Sequence, residues 1–233
     1  MVDLASNSPA TSLVKISNIG PFDGGAYSCL SKDDVAGSWY FWLSKRIFDL
    51  VVALCALPLV ALISITLSLV NPWCNPGPLL FLQKRMGRHG LAFTAIKFRT
   101  MLPADSIARG PHDALEDWRI TPLGGFLRRT RIDEFPQFIN VLVGDMSVIG
   151  PRPDYIEHAR HFAATMPGYR ERHVVRPGIS GAAQVKLGYA EGEALTRAKT
   201  LLDHDYIRTA CWRNEAAIIW RTLFVMISGF GAR

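Results

Sequence analysis

The longest apolar stretch of the chain covers residues 50–70 and contains no charged side chain. As an α-helix rising about 1.5 Å per residue, it is roughly 31 Å long, which matches a bilayer hydrocarbon core of about 30 Å. The stretch lacks the polar periodicity of a helix buried in a soluble protein. The pattern therefore predicts a membrane-embedded helix.

Two features of this helix argue against a simple crossing. Pro58 removes a backbone donor and clashes with the Leu54 carbonyl, so we expect a kink or break there. The flanks are basic on both sides, with Lys45 before the helix and Arg85 after it, although positive charges favour the cytoplasmic face. A helix that enters, bends and returns satisfies both flanks, while the residues alone leave a kinked spanning helix equally open.

Aromatic residues lie at both ends of the apolar stretch, at positions 39–42 and at Trp73, where amphipathic rings fit the headgroup level. A second apolar stretch at residues 216–227 predicts a helix, either on the membrane surface or in the core. The pattern between them predicts short elements. Residues 77–87 indicate a strand or a helix start, and residues 93–101 indicate a strand with Lys97 and Arg99 on one face.

The chain is basic, with a net charge of +6 over 233 residues. Residues 1–40 balance to −2 and the remainder to +8, which indicates an anionic partner: phosphate, nucleic acid or an acidic lipid surface. No nucleic-acid recognition motif and no phosphate-binding P-loop occurs, so we expect no nucleic-acid partner. The four cysteines show neither metal-ligand spacing nor a disulfide framework, which favours reduced thiols in a cytosol-facing protein.

Asp133 and Glu134 form the main candidate for chemistry, because they are adjacent carboxylates in a basic neighbourhood. The neighbouring cations are Arg128, Arg129 and Arg131. Cations favour the ionised form of a carboxylate, so this acid pair suits nucleophilic attack or metal binding better than proton donation. The alternative is an exposed helix start with acids near its positive end.

Two arginines lie beside prolines and are candidate anion ligands. Arg152 lies between Pro151 and Pro153, so its backbone has little freedom to lose when its guanidinium grips a phosphate. Arg176 precedes Pro177, with glycines following that allow close backbone approach. A stiff turn with an outward arginine is the alternative at both positions.

Taken in order, these pieces resemble the monotopic phosphoglycosyl transferases, the bacterial sugar transferase family that starts surface polysaccharide synthesis. The resemblance covers residues 44 to about 228. Eight motifs carry it: residues 45–49, the proline-interrupted membrane stretch, and residues 77–87, 97–101, 132–137, 144–147, 150–153 and 176–178.

The resemblance implies transfer of a sugar 1-phosphate from a UDP-sugar to undecaprenyl phosphate, with release of UMP. Asp133 matches the family's nucleophile and Glu134 its partner, with a phosphosugar-aspartate intermediate and Mg²⁺ bound at this acid pair. By position, the implied ligands of substrate and phosphate are Arg85, Lys97, Arg99, Arg119, Arg128, Arg152, Arg176 and Asp203. For Asp203, a salt bridge on a helix surface is the alternative.

The resemblance also implies an organisation and a location. We expect a flexible leader (1–38), a re-entrant helix-break-helix (39–76) and a compact cytosol-facing catalytic domain (77–233) of α-rich α+β fold. This arrangement implies a monotopic protein on the cytoplasmic face of the bacterial inner membrane. Two residues depart from the family pattern: Leu57 replaces a serine before the helix-breaking Pro58, and Ala182 replaces a tryptophan.

Two other functions are consistent with the residues. A membrane-anchored protein could bind anions without chemistry, or a metal-dependent hydrolase could use water where the transferase uses lipid phosphate. The residues leave the sugar and the oligomeric state open.

Overall fold

The structure, a computed structural model, describes residues 34–103, 116–187 and 192–228. Within these ranges the fold is mostly helical with a few short strands, which confirms the α-rich α+β prediction. The helices are α1 (Trp39–Cys74), α2 (Pro122–Thr130), α3 (Gln137–Val143), α4 (Ile156–Thr165), α5 (Ala182–Leu187), α6 (Glu193–Arg208) and α7 (Trp212–Ser228). The strands are β1 (Leu80–Met86), β2 (Ala92–Phe98), β3 (Ser147–Ile149) and β4 (Gly178–Ser180).

The predicted strand at residues 93–101 is confirmed over residues 93–98 in β2, which pairs antiparallel with β1. A short turn at Arg88–Gly90 joins the two strands, with His89 in the left-handed region at φ 58°. Lys97 lies in β2, whereas Arg99 lies just beyond the strand's end. This hairpin brings Lys97 towards the acid pair, as described below.

A second, parallel sheet pairs β3 with β4 and brings the two arginine–proline motifs together. Gly150 follows β3, and a Cβ atom on Gly178 would lie only 2.1 Å from the Gly150 nitrogen. A Cβ atom on Gly150 would likewise lie 2.5 Å from the Arg176 carbonyl oxygen. Only glycine allows the two backbones to approach this closely.

The apolar stretch forms part of α1, a helix of 36 residues. By length and composition alone, it is the one helix in the described ranges that could cross a membrane. Helical structure continues through Pro58, so the sequence-based expectation of two helices separated by a break is not seen; an inward bend stays a prediction. Leu57 is half-buried and Pro58 is exposed.

One stripe of α1 faces the rest of the protein along the whole helix, because its buried residues are spaced by four or seven positions. They are Phe41, Lys45, Asp49, Ala53, Val60, Leu67 and Asn71. In the first half of the helix Ala53 packs with Val141, and in the second half Leu67 packs with Phe98. Both halves of α1 therefore lie against the same domain.

Polar contacts fix both ends of α1 as well. At the start, Lys45 Nζ lies 2.6 Å from a carboxylate oxygen of Glu215 in α7, and both side chains are buried. At the other end, the Asn75 side chain donates to the Arg99 carbonyl at 2.8 Å. The opposite side of α1 is apolar and exposed, with Leu62 and Ile65 each 61% exposed.

Several remaining predictions concern the edges of the domain. Residues 1–33 of the predicted leader lie outside the described residues, while the Ala36 N–H donates to the Ile207 carbonyl in α6. The predicted C-terminal helix is confirmed as α7, which buries Ile218 and exposes Trp220. Ala182, where the family pattern has tryptophan, is buried in a core cluster.

Candidate active site

The acid pair lies in a short 3-10 turn, Ile132–Glu134, between α2 and α3. Helix α2 ends at Thr130, and the next residue, Arg131, adopts the left-handed conformation with φ 56° and ψ 17°. This conformation costs a non-glycine residue about 1–2 kcal/mol, and it redirects the chain into the turn. Asp133 and Glu134 are both buried, so the alternative of an exposed helix start is wrong.

Glu134 is held by two cations. Its Oε1 lies 2.8 Å from Lys97 Nζ, and its two oxygens accept hydrogen bonds from both terminal nitrogens of Arg152, one of them at 3.0 Å. A guanidinium that bonds both oxygens of a carboxylate fixes its orientation. Burial alone would raise the pKa of Glu134, but Arg152 and Lys97 hold it well below its ordinary value.

Asp133 is held less tightly than its neighbour, because its Oδ2 lies 4.0 Å from Lys97 Nζ. Burial raises the pKa of Asp133, and the charge of Glu134 adds to this effect against Lys97. The sequence predicted that cations lower the pKa of both carboxyl groups. The prediction is confirmed for Glu134 and is wrong for Asp133, whose pKa is raised. Because Asp133 lacks the close ion pairs of Glu134, its carboxylate is the better candidate nucleophile.

Three further arginines contribute positive charge around these side chains. Arg128 lowers the pKa of Asp133, and its Nε donates to the Thr100 hydroxyl at 2.9 Å. Arg131 interacts electrostatically with both members of the acid pair. Arg85 repels the Lys97 charge and donates to the Pro153 carbonyl at 2.6 Å.

Arg99 and Arg119 use their guanidinium groups on loop backbone. Arg99 is buried beside the end of α1 and donates to the carbonyls of Pro78 at 2.6 Å and Met101 at 2.9 Å. Arg119 is also buried and donates to the Leu102 carbonyl at 2.6 Å. The structure places both arginines in fixing these loops, and their phosphate-binding role stays a prediction.

Arg176 and Asp203 have partners other than the acid pair. Arg176 Nε donates to the Gly144 carbonyl at 3.1 Å, at the C-terminal end of α3. Asp203 is buried in α6, with Oδ2 2.7 Å from Arg172 Nη2. The alternative of a surface salt bridge is therefore wrong for Asp203, because both partners are buried.

Sequence reasoning missed two residues that belong to this region, Asp154 and Arg172. It named Arg131 as a cation beside the acid pair, but not as a candidate ligand. Asp154 follows the Arg152–Pro153 motif, which was a local hint. Nothing in the sequence pattern connected Arg172 to Arg152, whose carbonyl it contacts.

The acid pair can be tested for its fit to Mg²⁺. In the described ranges, no three His, Cys, Asp or Glu side chains converge to form a metal site. Mg²⁺ bound to a phosphate substrate commonly needs only one or two protein carboxylates, so this pair fits. The oxygens of Glu134 are occupied by Arg152 and Lys97, which leaves Asp133 as the more available ligand.

Comparison with known proteins decides the family. Residues 40–229 match the family model described as bacterial sugar transferase. The chain belongs to the bacterial sugar transferase family. The matched range includes the acid pair, Lys97 and Arg152.

Two relatives of this chain are named for transfer to undecaprenyl phosphate. A UDP-N-acetylgalactosamine-undecaprenyl-phosphate N-acetylgalactosaminephosphotransferase of Aeromonas hydrophila is 41% identical over 190 residues, covering 81% of this chain and 45% of that protein. A UDP-glucose:undecaprenyl-phosphate glucose-1-phosphate transferase of Caulobacter vibrioides is 40% identical over 187 residues, covering 78% of this chain and 68% of that protein.

A third relative is the exopolysaccharide production protein PSS of Rhizobium leguminosarum. It is 37% identical over 185 residues, covering 77% of this chain and 92% of that protein. The chain thus spans less than half of the Aeromonas relative and most of the Rhizobium relative. The relatives' names differ in the sugar: N-acetylgalactosamine in one and glucose in another.

Proposed function

We propose that this sugar transferase moves a sugar 1-phosphate from a UDP-sugar to undecaprenyl phosphate and releases UMP. The observation that carries the proposal is the buried acid pair, in which Glu134 is fixed by two cations and Asp133 is not. Family membership and the relatives' names support the substrate classes.

The proposed reaction has two displacements at the phosphorus that carries the sugar. In the first, an oxygen of Asp133 attacks this phosphorus, the bond to the bridging oxygen breaks, and UMP leaves with that oxygen. In the second, an oxygen of undecaprenyl phosphate attacks the same phosphorus, the bond to Asp133 breaks, and the carboxylate is regenerated. A covalent intermediate divides one difficult transfer into two easier ones.

The neighbouring cations give this reaction its electrostatic support. A carboxylate that attacks a negatively charged diphosphate needs its charge offset, and positioned cations are the main means of catalysis in phosphoryl transfer. Lys97 lies near both carboxylates, and Glu134 orients Lys97 and Arg152 towards the same space. Bound Mg²⁺ would neutralise charge on the diphosphate.

We also propose a monotopic position on the cytoplasmic face of the inner membrane. A helix that crossed the bilayer would carry one end about 30 Å away from the domain at its other end. Instead, Lys45 at one end of α1 and Asn75 just beyond the other both contact the domain. These contacts support an α1 that lies in one leaflet with its apolar side towards lipid.

UMP release tests the reaction directly. Purified protein is incubated with a panel of UDP-sugars, with and without undecaprenyl phosphate and Mg²⁺. We expect UMP from one donor, dependent on the lipid. Lipid-independent UMP would indicate the hydrolase, and no UMP from any donor would favour an anion-binding protein.

Asp133→Asn tests the nucleophile. We expect the turnover number to fall at least about 10³-fold, as in other enzymes that lose a covalent nucleophile, because an amide cannot form the acyl phosphate. Membrane association should persist. Asp205→Asn, at an exposed acid of α6, should retain full activity, and retained turnover in Asp133→Asn would refute the assignment.

A further inference from the structure

Arg172 contacts the backbone of the residue that orients Glu134. Its Nη2 donates to the Arg152 carbonyl at 2.8 Å, and its Nη1 forms an ion pair with the Asp154 carboxylate. The Arg172 side chain is 1% exposed and belongs to the short turn Arg170–Val174. Arg172 therefore holds both ends of the three-residue segment that starts with Arg152.

A buried charge cluster surrounds Arg172 and Asp154. Asp154 accepts a hydrogen bond from Tyr169 Oη at 2.6 Å and forms an ion pair with Lys199 of α6. Asp203 lies one turn after Lys199 and pairs with Arg172. The cluster contains two acids and two bases, so its formal charge is balanced.

The strand β1 holds the same segment from its other side. Arg85 donates to the Pro153 carbonyl at 2.6 Å, and the Met86 N–H donates to the Asp154 carbonyl at 3.1 Å. Pro153 itself has a fixed φ. The backbone that carries Arg152 is thus fixed by side chains from two separate elements.

Stability alone is a weak explanation for the charge cluster. Removing several charges from water costs several kcal/mol each, and well-packed apolar residues are often as stabilising as a buried ion pair. Ion pairs and hydrogen bonds among buried side chains do fix their geometry. Arg152 requires that geometry, because its guanidinium must meet both oxygens of Glu134.

We propose that Arg172 and Asp154 are positioning residues that hold the Arg152 guanidinium in its two-point contact with Glu134. They act through Arg152 and do not touch the reacting phosphorus. The inference rests on the proposed function only for its activity readout. When either residue is lost, Arg152 turns away and Glu134 loses one of its two cations.

A double-mutant cycle separates positioning from general stabilisation. We expect Arg172→Met and Asp154→Asn each to lower kcat/KM about 100-fold, on the scale of an ångström-sized misplacement. In an Arg152→Met background, neither change should lower kcat/KM further, because there is no guanidinium left to position. Losses that multiply in that background would overturn the inference.

The matched control is Arg170→Met, since Arg170 lies in the same turn, is exposed and donates only to the Ala163 carbonyl in the described contacts. This variant should keep wild-type kcat/KM. Tyr169→Phe serves as a milder change, because it removes one hydrogen bond to Asp154 and keeps the ring. Thermal unfolding of every variant identifies those that no longer fold.

A second readout does not depend on activity. The Arg152 guanidinium is observed by nitrogen-15 NMR of labelled protein in micelles, because its two terminal nitrogens donate to Glu134. In Asp154→Asn and Tyr169→Phe its N–H signals should shift away from their wild-type positions, and in Arg170→Met they should stay in place. Unchanged Arg152 signals in Asp154→Asn overturn the inference, whereas absence of UMP release by the wild type counts only against the proposed function.

Discussion

Asp133 and Glu134 are neighbours in the chain, yet different contacts hold their carboxylates. Glu134 has Lys97 at 2.8 Å and Arg152 on both oxygens, and these cations hold its pKa well below the ordinary value. Burial raises the pKa of Asp133, whose nearer oxygen is 4.0 Å from Lys97. One carboxylate therefore serves to fix cations and the other remains available to react.

This difference predicts the pH dependence of the reaction. The raised pKa of Asp133 means that, as the pH falls, this carboxylate is protonated at a pH above the ordinary aspartate pKa of about 3.9. Glu134 is still ionised at that pH. We expect kcat/KM to fall on the acid side with an apparent pKa above that value, and this pKa belongs to the acid pair as a unit.

Lys97→Met tests whether Asp133 causes the fall of kcat/KM at low pH, the acid limb of the pH profile, since Lys97 lowers the pKa of Asp133. The acid limb of the residual activity should move to higher pH. Lys186→Met, at an exposed lysine of α5, should leave the limb in place. Movement to lower pH in Lys97→Met would contradict the electrostatic assignment.

The left-handed conformation of Arg131 predicts that Arg131→Gly raises the stability of the protein and lowers its activity. In Arg131→Gly the strain at φ 56° is relieved, so the free energy of unfolding should rise by about 1 kcal/mol. Turnover should fall, because a guanidinium close to the acid pair is lost. Thermal unfolding and UMP release measure the two effects.

Arg129→Gly is the matched control, because Arg129 is exposed and lies in the last turn of α2. A glycine there should lower the free energy of unfolding by about 1 kcal/mol and leave turnover unchanged. Stability changes of the same sign in both variants would contradict the strain at Arg131.

At the scale of elements, α1 combines a protein-facing stripe with a broad apolar side. The stripe is polar where the helix meets the domain, at Lys45, Asp49 and Asn71, and apolar between them. The Asp49 carboxylate accepts a hydrogen bond from the Val148 N–H at 3.0 Å. The helix is thus attached along its length to the domain that holds the acid pair.

Cysteine labelling tests whether both ends of α1 face the same side. Single-cysteine proteins carry Leu43→Cys, native Cys74 or native Cys211, with the other cysteines replaced by alanine. Leu43, Cys74 and Cys211 are all exposed. In inverted membrane vesicles, a membrane-impermeant maleimide should label all three, with Cys211 as the marker of the domain side. A spanning α1 would leave position 43 or 74 unlabelled until detergent is added.

At the scale of the whole molecule, the Lys45–Glu215 pair connects α1 to the last described helix. Glu215 also accepts a hydrogen bond from Tyr206 Oη at 2.6 Å, so three helices meet at this carboxylate. Lys45→Met should lower the free energy of unfolding by about 3–5 kcal/mol, because it leaves Glu215 buried without its cation. Denaturant unfolding in micelles measures the change.

The double variant Lys45→Met with Glu215→Leu should recover part of this loss, because Glu215 is no longer a buried charge without a cation, while Asp49 keeps only its hydrogen bond from the Val148 N–H. Arg160→Met provides the surface comparison, since its pair with Glu157 is exposed and contributes about 0–1 kcal/mol. Equal losses in the Lys45 and Arg160 variants would show that the buried pair is not a special attachment.

Local patterns predicted the acid pair, the strand β2 and the helix α7, because each depends on a few neighbouring residues. The sequence could not tell which arginines face the acid pair. Arg99 and Arg119 donate to backbone carbonyls of loops, and only the folded path of those loops reveals such acceptors. Arg131 does contribute charge beside the acid pair, as its place next to Asp133 in the chain predicted.

Long-range pairs were also beyond the sequence pattern. Asp203 was expected at the phosphate, yet its partner is Arg172, on a turn that nothing in the local pattern connects to α6. Pro58 predicted an interruption, whereas helical structure continues through it. A proline's effect depends on what packs around the helix, which the sequence alone does not give.

The Lys45–Glu215 contact has a consequence for biogenesis, because 170 positions separate its two residues. The chain is made from its N-terminus, so the apolar α1 is complete long before α7 exists to pair with it. Its exposed leucines and isoleucines need a nonpolar environment during that interval. With α1 in the proposed monotopic position, the helix enters lipid before α7 is made, and the rest of the chain then folds against a helix that is already in the membrane.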